Sequence, residues 1–124
     1  MSDYRLQQLD ILIDLHNNTR TNRWFWKKQP LIKNKLLMSL AQKWANKMAI
    51  QDKLFYNSNP IIEFPEIAQN IAYEHNSPEK VMKSWMKNSQ DKLNINNESF
   101  TDIGCGMSLS QNGKLYWCVY LAKK

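Results

Sequence analysis

The chain has 124 residues, 43% of them hydrophobic and 23% charged, a balance that suits one globular domain over 1–124 and argues against disorder. Its net charge of +6 comes from basic residues scattered along the chain, which fits solubility better than a clustered nucleic-acid footprint. Two cysteines are too few for a disulfide scaffold and wrongly spaced for a zinc ribbon, and no stretch nears the ~18 consecutive apolar residues of a membrane span. The start, Met1-Ser2-Asp3-Tyr4-Arg5, has no basic-then-apolar leader, so the sequence reads as soluble and cytoplasmic, with a non-classical export route left open.

Over 4–19, Leu9, Leu12, Ile13 and His16 recur at three- and four-residue steps, which predicts an amphipathic helix with His16 at the edge of its stripe. "RTNRWFWKKQP", 20–30, has no helical period and closes on proline, so a loop is expected. Within it Trp24, Phe25 and Trp26 stand among Arg23, Lys27 and Lys28. These rings either cap the core or form an interaction surface for a protein, an anionic lipid surface or single-stranded nucleic acid. The second helix is capped by Asn34 and carries Leu37, Leu40, Ala41, Trp44, Ala45 and Met48 on one face.

Residues 51–65 hold two prolines and several Asn and Ser, an irregular segment, and "AQNIAYEH" (68–75) reads as a short strand. Ser77, Pro78 and Glu79 give the cap, first position and first-turn acid of a third helix that buries Val81, Met82, Trp85 and Met86. Asp91 and Lys92 fall where a tight polar turn is expected. The end is a hairpin: "DIGCGMSLS" and "KLYWCVYLA" flank Asn112-Gly113, which predicts a two-residue turn. That turn sets Met107 opposite Cys118 and Cys105 opposite Tyr120, with the two thiols diagonal neighbours on one sheet face. Helices around a late antiparallel hairpin give an α+β sandwich.

The ordered series "LHNNTR", "PLIKNKLLMSLAQKWANKMA", "QNIAYEHNSPEKVMKSWM", "LNI" and "FTDIGCGMSLSQNGKLYWCVYLA" resembles the CAP superfamily, also called the SCP domain. This is the group of cysteine-rich secretory proteins, antigen 5 and plant pathogenesis-related proteins; the likeness runs over about 7–122 and is nearest to short bacterial members. It implies a three-layered α-β-α sandwich with a central antiparallel sheet. It also implies a cleft where many relatives place two His and two acidic residues, in several cases around zinc. Imidazole lone pairs and carboxylate charge suit that ion.

Carried over by motif, those positions fall on Asn57 (or Tyr56 after a one-residue shift), Gln69, Asn88 and Asp91. Amides and one carboxylate are poor zinc ligands, so no metal, cofactor or catalytic residue is expected. The resemblance therefore points to a non-catalytic binding module with an unknown protein or lipid partner, nucleic acid being a weaker candidate. The alternatives are a hydrolase with a rearranged site of Asp91, Glu66 and His75, or a lipid or sterol carrier. Glu63, Glu66 and Asp91 are either exposed carboxylates or a hard-cation site. His16 and His75 read as structural, and Ser58, Ser77 and Ser89 have no nucleophile frame.

Overall fold

The computed structural model describes residues 2–21, 29–59 and 61–124. The loop residues Arg23, Trp24, Phe25, Trp26, Lys27 and Lys28, singled out above as a candidate surface, lie outside the described residues. In chain order the elements are α1 (Ser2–Thr21), β1 (Ile32–Lys33), α2 (Lys35–Gln51), β2 (Glu66–Tyr73), α3 (Pro78–Lys87), α4 (Ser89–Asn96), β3 (Asp102–Leu109) and β4 (Leu115–Lys123). The strands form one sheet in the order β1-β3-β4-β2. The sheet is mixed rather than antiparallel as expected, because the short β1, unmarked by any sequence pattern, runs parallel to β3. The other two pairings are antiparallel.

Two apolar cores lie on opposite faces of this sheet and account for the three layers. Leu37, Ala41, Ala45 and Met48 of α2 meet Ile71, Tyr116, Cys118 and Tyr120 on one face. On the other, Leu9, Leu12 and Ile13 of α1, Trp85 of α3 and Ile95 of α4 meet Ile103, Cys105, Trp117 and Val119. Because both faces of β3 and β4 are covered, those strands are buried along most of their length, as strands with no wet side must be. Gly104 and Gly106 set how closely α2 can lie: a Cβ at Gly104 would fall 2.1 Å from the Leu37 carbonyl carbon, and one at Gly106 2.5 Å from the Gln42 Cα. Backbone cannot yield to such overlap.

The caps read from the sequence are present. Asn34 Oδ1 accepts from Leu37 N at 3.1 Å and its Nδ2 donates to buried Asp102 at 2.9 Å, tying the start of α2 to β3. Ser77 accepts from Lys80 N at 3.2 Å, with Pro78 opening α3. The expected polar turn at Asp91-Lys92 is instead the first part of α4, because Asn88 Oδ1 accepts from the N–H groups of Gln90 and Asp91 and caps a new helix.

The hairpin differs by one residue from its expected form. Ser110 N donates to Lys114 O and Gly113 N to Ser110 O, so the loop holds three residues, and among the described positions of the turn only Gly113 has positive φ (81°). Met107 is therefore opposite Trp117, Gly106 opposite Cys118 and Cys105 opposite Val119. A one-residue slip inverts facing, and the two thiols lie on opposite faces of the sheet rather than on one.

α1 also runs two residues beyond the expected helix end, and its buried stripe reaches one turn past His16 to Arg20, which is fully buried. Its guanidinium makes five bonds, all to backbone carbonyls: Gln29 twice (3.3 and 3.2 Å), Ile95 (3.0 Å), Asn97 (2.7 Å) and Phe100 (3.1 Å). One turn earlier, His16 Nδ1 is 2.8 Å from the Leu12 carbonyl, its Nε2 has no partner among the described residues, and its ring meets Trp85 edge-on. Burial lowers its pKa from 6.5 to about 4, against the pull of the Leu12 carbonyl and with a smaller push from the Arg20 charge.

Two outcomes follow for stability. Gly106→Ala, which sets a methyl against α2 backbone, is expected to cost at least about 3 kcal/mol in urea unfolding. Below pH 6.5 the unfolded chain takes up a proton at His16 that the native state refuses. Stability therefore falls by roughly 3 kcal/mol between pH 6.5 and about 4, and His16→Met should flatten that slope in a pH series of unfolding curves.

Candidate functional site

The implied site is built from the first half of β2 and the segment before it. Successive strand residues point to opposite faces, so Gln69 and Asn70 serve different layers. Gln69 stands opposite Tyr120 of β4 on the α2 side. Its Oε1 accepts from Asn57 N at 2.9 Å, and its Nε2 donates to the Tyr120 hydroxyl at 3.0 Å and to Cys118 Sγ at 3.3 Å. Asn57 closes the ring, its Nδ2 donating to the same hydroxyl at 3.1 Å while its Oδ1 accepts from Asn59 N. Beside this ring opens a hollow of about 220 Å³ lined by Tyr56, Asn57, Ile61, Ile67, Gln69 and Tyr120.

Asn70 faces the other way and is fully buried. It accepts from Asn94 Nδ2 at 2.8 Å and donates to the Asp91 carbonyl at 3.2 Å, which fixes α4 against β2. The Asp91 side chain is half-buried, and burial holds its carboxyl above the usual range. The Tyr56 phenol is raised first by burial and then by the Asp91 charge. Tyr120 and Cys118 are both pushed up to about 12, chiefly by burial. Neither ionises near neutrality, so the ring carries no net charge.

Of the four positions derived from the resemblance, Asn57 and Gln69 are bonded directly, whereas Asp91 is tied through its backbone to Asn70 on the other face of β2. Asn88 does not join them, because its side-chain Oδ1 caps α4. Tyr120 and Cys118 were not foreseen. The β2–β4 register that sets Gln69 against Tyr120 leaves no local mark in either segment, and the hairpin register expected for Cys118 was one residue off. The hydrolase trio does not converge: Glu66 opens β2 and His75 follows its end, roughly 20 Å or more apart at strand rise. Glu66 pairs with Lys123 at 3.8 Å, and the His75 carbonyl accepts from Trp117 Nε1 at 2.9 Å. Among the described residues no three His, Cys, Asp or Glu side chains lie close enough to share a metal ion, the Glu63, Glu66 and Asp91 set included.

The sequence matches the family model for CAP, the cysteine-rich secretory protein family, over residues 13–121. The chain belongs to the CAP family. The CAP fold is similar to that of an outer surface protein of Borrelia burgdorferi, with a TM-score of 0.84 at 14% identity, covering 95% of this chain and 93% of that one. An extracellular protein of Bacillus anthracis containing an SCP domain matches with a TM-score of 0.80 at 18% identity, over 100% of this chain and 43% of the other. A cysteine-rich secretory protein of Staphylococcus aureus matches with a TM-score of 0.71 at 17% identity, over 97% and 40%. This CAP domain thus spans less than half the length of the last two. No curated protein sequence matches the chain. No described helix is long and apolar enough to cross a membrane.

Gln69→Leu keeps the shape of the side chain but removes its three bonds to the ring, leaving Asn57 N unpaired and the Tyr120 hydroxyl with Asn57 Nδ2 alone. An expected loss of about 1–3 kcal/mol can be read from urea unfolding.

Proposed function

We propose that this CAP domain is a non-catalytic binding module whose cleft holds a neutral hydrogen-bonded ring where several relatives hold a metal. The observation carrying this reading is the occupancy of Gln69: its acceptor is taken by Asn57 N, and its donors by Tyr120 and Cys118. An ion at this position would have to displace Asn57 from Gln69 and would gain only an amide oxygen. Zinc prefers imidazole, thiolate and carboxylate donors, and of the four positions only Asp91 supplies one. Cys118 is no substitute, because a thiol pushed up to about 12 by burial stays protonated and is a poor ligand.

What the site offers is shape and polarity. Tyr56 is exposed beside the hollow, and Ile61, Ile67 and the Tyr120 ring supply its apolar wall. A rigid, uncharged floor under an aromatic rim suits contact with a protein or lipid partner more than proton transfer.

Calorimetric titration with zinc tests the reading. The natural chain is expected to show no cleft binding at micromolar concentration. The combined Asn57→His, Gln69→Glu and Asp91→His variant is expected to acquire it. Tight zinc binding by the natural chain, lost on Asp91→Ala, would falsify the proposal.

A further inference from the structure

β2 pairs only with β4, so its other side is an edge of the sheet. In a strand, the backbone groups of alternate residues point to opposite sides, and two bonds fix which residues look outward. Glu74 N donates to Leu115 O at 2.9 Å, so the even-numbered residues of β2 address β4. The Ile71 carbonyl accepts from Trp85 Nε1 at 2.9 Å, so the odd-numbered ones address the edge. At Ile67 and Gln69 the outward N–H and C=O groups therefore meet no partner among the described residues.

The open stretch is bounded at both ends. Pro65, which has no N–H, precedes it, and the Trp85 indole holds the Ile71 carbonyl after it. A second copy of the chain has only this edge to offer, because the outer side of β3 is taken. β1 covers Asp102 and Ile103, Met38 Sδ accepts from Cys105 N, and the Gln42 amide engages both backbone groups of Met107. A ladder between two copies would be confined to Ile67 and Gln69, well short of an ordinary strand. A short peptide needs no more than those two positions if its side chains also find partners.

The surroundings supply such partners. Antiparallel pairing is the more stable kind, and in it the residues that exchange both bonds carry their side chains on the same face. Residues paired with Ile67 and Gln69 thus face the hollow of about 220 Å³, whose apolar wall is Ile61, Ile67 and Tyr120. The residue between them points the other way, toward α4, as Ala68 and Asn70 do. There Asp91 is tied to Asn70 through its carbonyl, is half-buried, and forms no ion pair among the described residues. A basic side chain complements it.

We propose that the outer edge of β2 takes up an extended peptide as an added antiparallel strand. Its sequence is apolar–basic–apolar, the apolar residues paired with Ile67 and Gln69 and the basic one beside Asp91. The backbone bonds hold the peptide and the side chains select it. This rests on the cleft being a contact surface and does not depend on how the Gln69 ring treats zinc.

Amide hydrogen exchange of the intact chain, with and without acetyl-Ser-Val-Lys-Val-Ser-amide, tests it. In the free chain the Ile67 and Gln69 amides should exchange faster than those of Ala68 and Asn70, which β4 protects. The peptide should slow Ile67 and Gln69 in a saturable way. The same peptide N-methylated at both valines, or with Lys replaced by Glu, should bind at least about tenfold more weakly. Asp91→Asn should remove the preference for Lys over Glu while leaving the N-methyl effect intact. Ile67 and Gln69 amides already protected in the free chain, no slowing by the peptide, or equal binding of the N-methylated form overturn the proposal. Protection that rises with protein concentration alone also overturns it, because a second copy would then be the occupant. Zinc binding in the cleft together with peptide protection of Ile67 and Gln69 would remove the neutral-ring reading and leave this one standing.

Discussion

The architecture depends on a buried cation that forms no ion pair among the described residues. The Arg20 guanidinium sits at the end of α1 and holds four separate carbonyls, from the segment before β1, the end of α4 and the approach to β3. Removing a guanidinium from water is costly, and only complete satisfaction of its donors makes the site tolerable. Here the number of N–H groups equals the number of bonds, so each carbonyl must stay in position for the charge to remain buried. Burial lowers the pKa of Arg20, but a guanidinium starts so high that it stays charged at any ordinary pH. Three connections are thereby fixed relative to one helix end. Asn17 extends the same clasp, exchanging two bonds with the backbone of Leu31 at 2.7 and 3.1 Å. The "HNNTR" stretch is thus a set of polar anchors for chain that would otherwise be loose.

The cleft uses the same device with amides in place of a charge. Gln69 and Asn70 are neighbours in sequence, yet one organises the segment before β2 and the other holds α4. An amide offers donor and acceptor at once, so each closes a network that needs no counter-charge. A carboxylate in the place of Gln69 would accept from Asn57 N and from Tyr120, but could not donate to Cys118. The amide of Gln69 therefore closes the ring in a way that a carboxylate could not.

What could be read in advance was local. Asn34, Ser77 and Pro78 announce helix starts because a cap acts on residues two or three positions away. The stripe on α2 follows from the helical period alone, with Trp44 at its margin donating to the Phe55 carbonyl. What could not be read depends on distant chain. Arg20 looks like the first residue of a loop until its carbonyl partners, as many as 80 residues away, are in place. The two-residue β1 has no pattern of its own and exists because β3 lies alongside. In the hairpin, Asn-Gly suits either loop length, and a single residue decided which side chains share a face. The site positions came from the order of motifs, while the partners of Gln69 required the β2–β4 register.

The β3–β4 register also decides what the two thiols can do. Cys105 and Cys118 are both buried and free, with their Cβ vectors directed into different layers, so no disulfide can join them without tearing the sheet. The chain therefore reaches its native state without an oxidant, and a reducing solution takes nothing from it. For a fold named for its cysteines, the stability of this version is independent of thiol chemistry and rests on close helix–sheet contact and the anchors around Arg20.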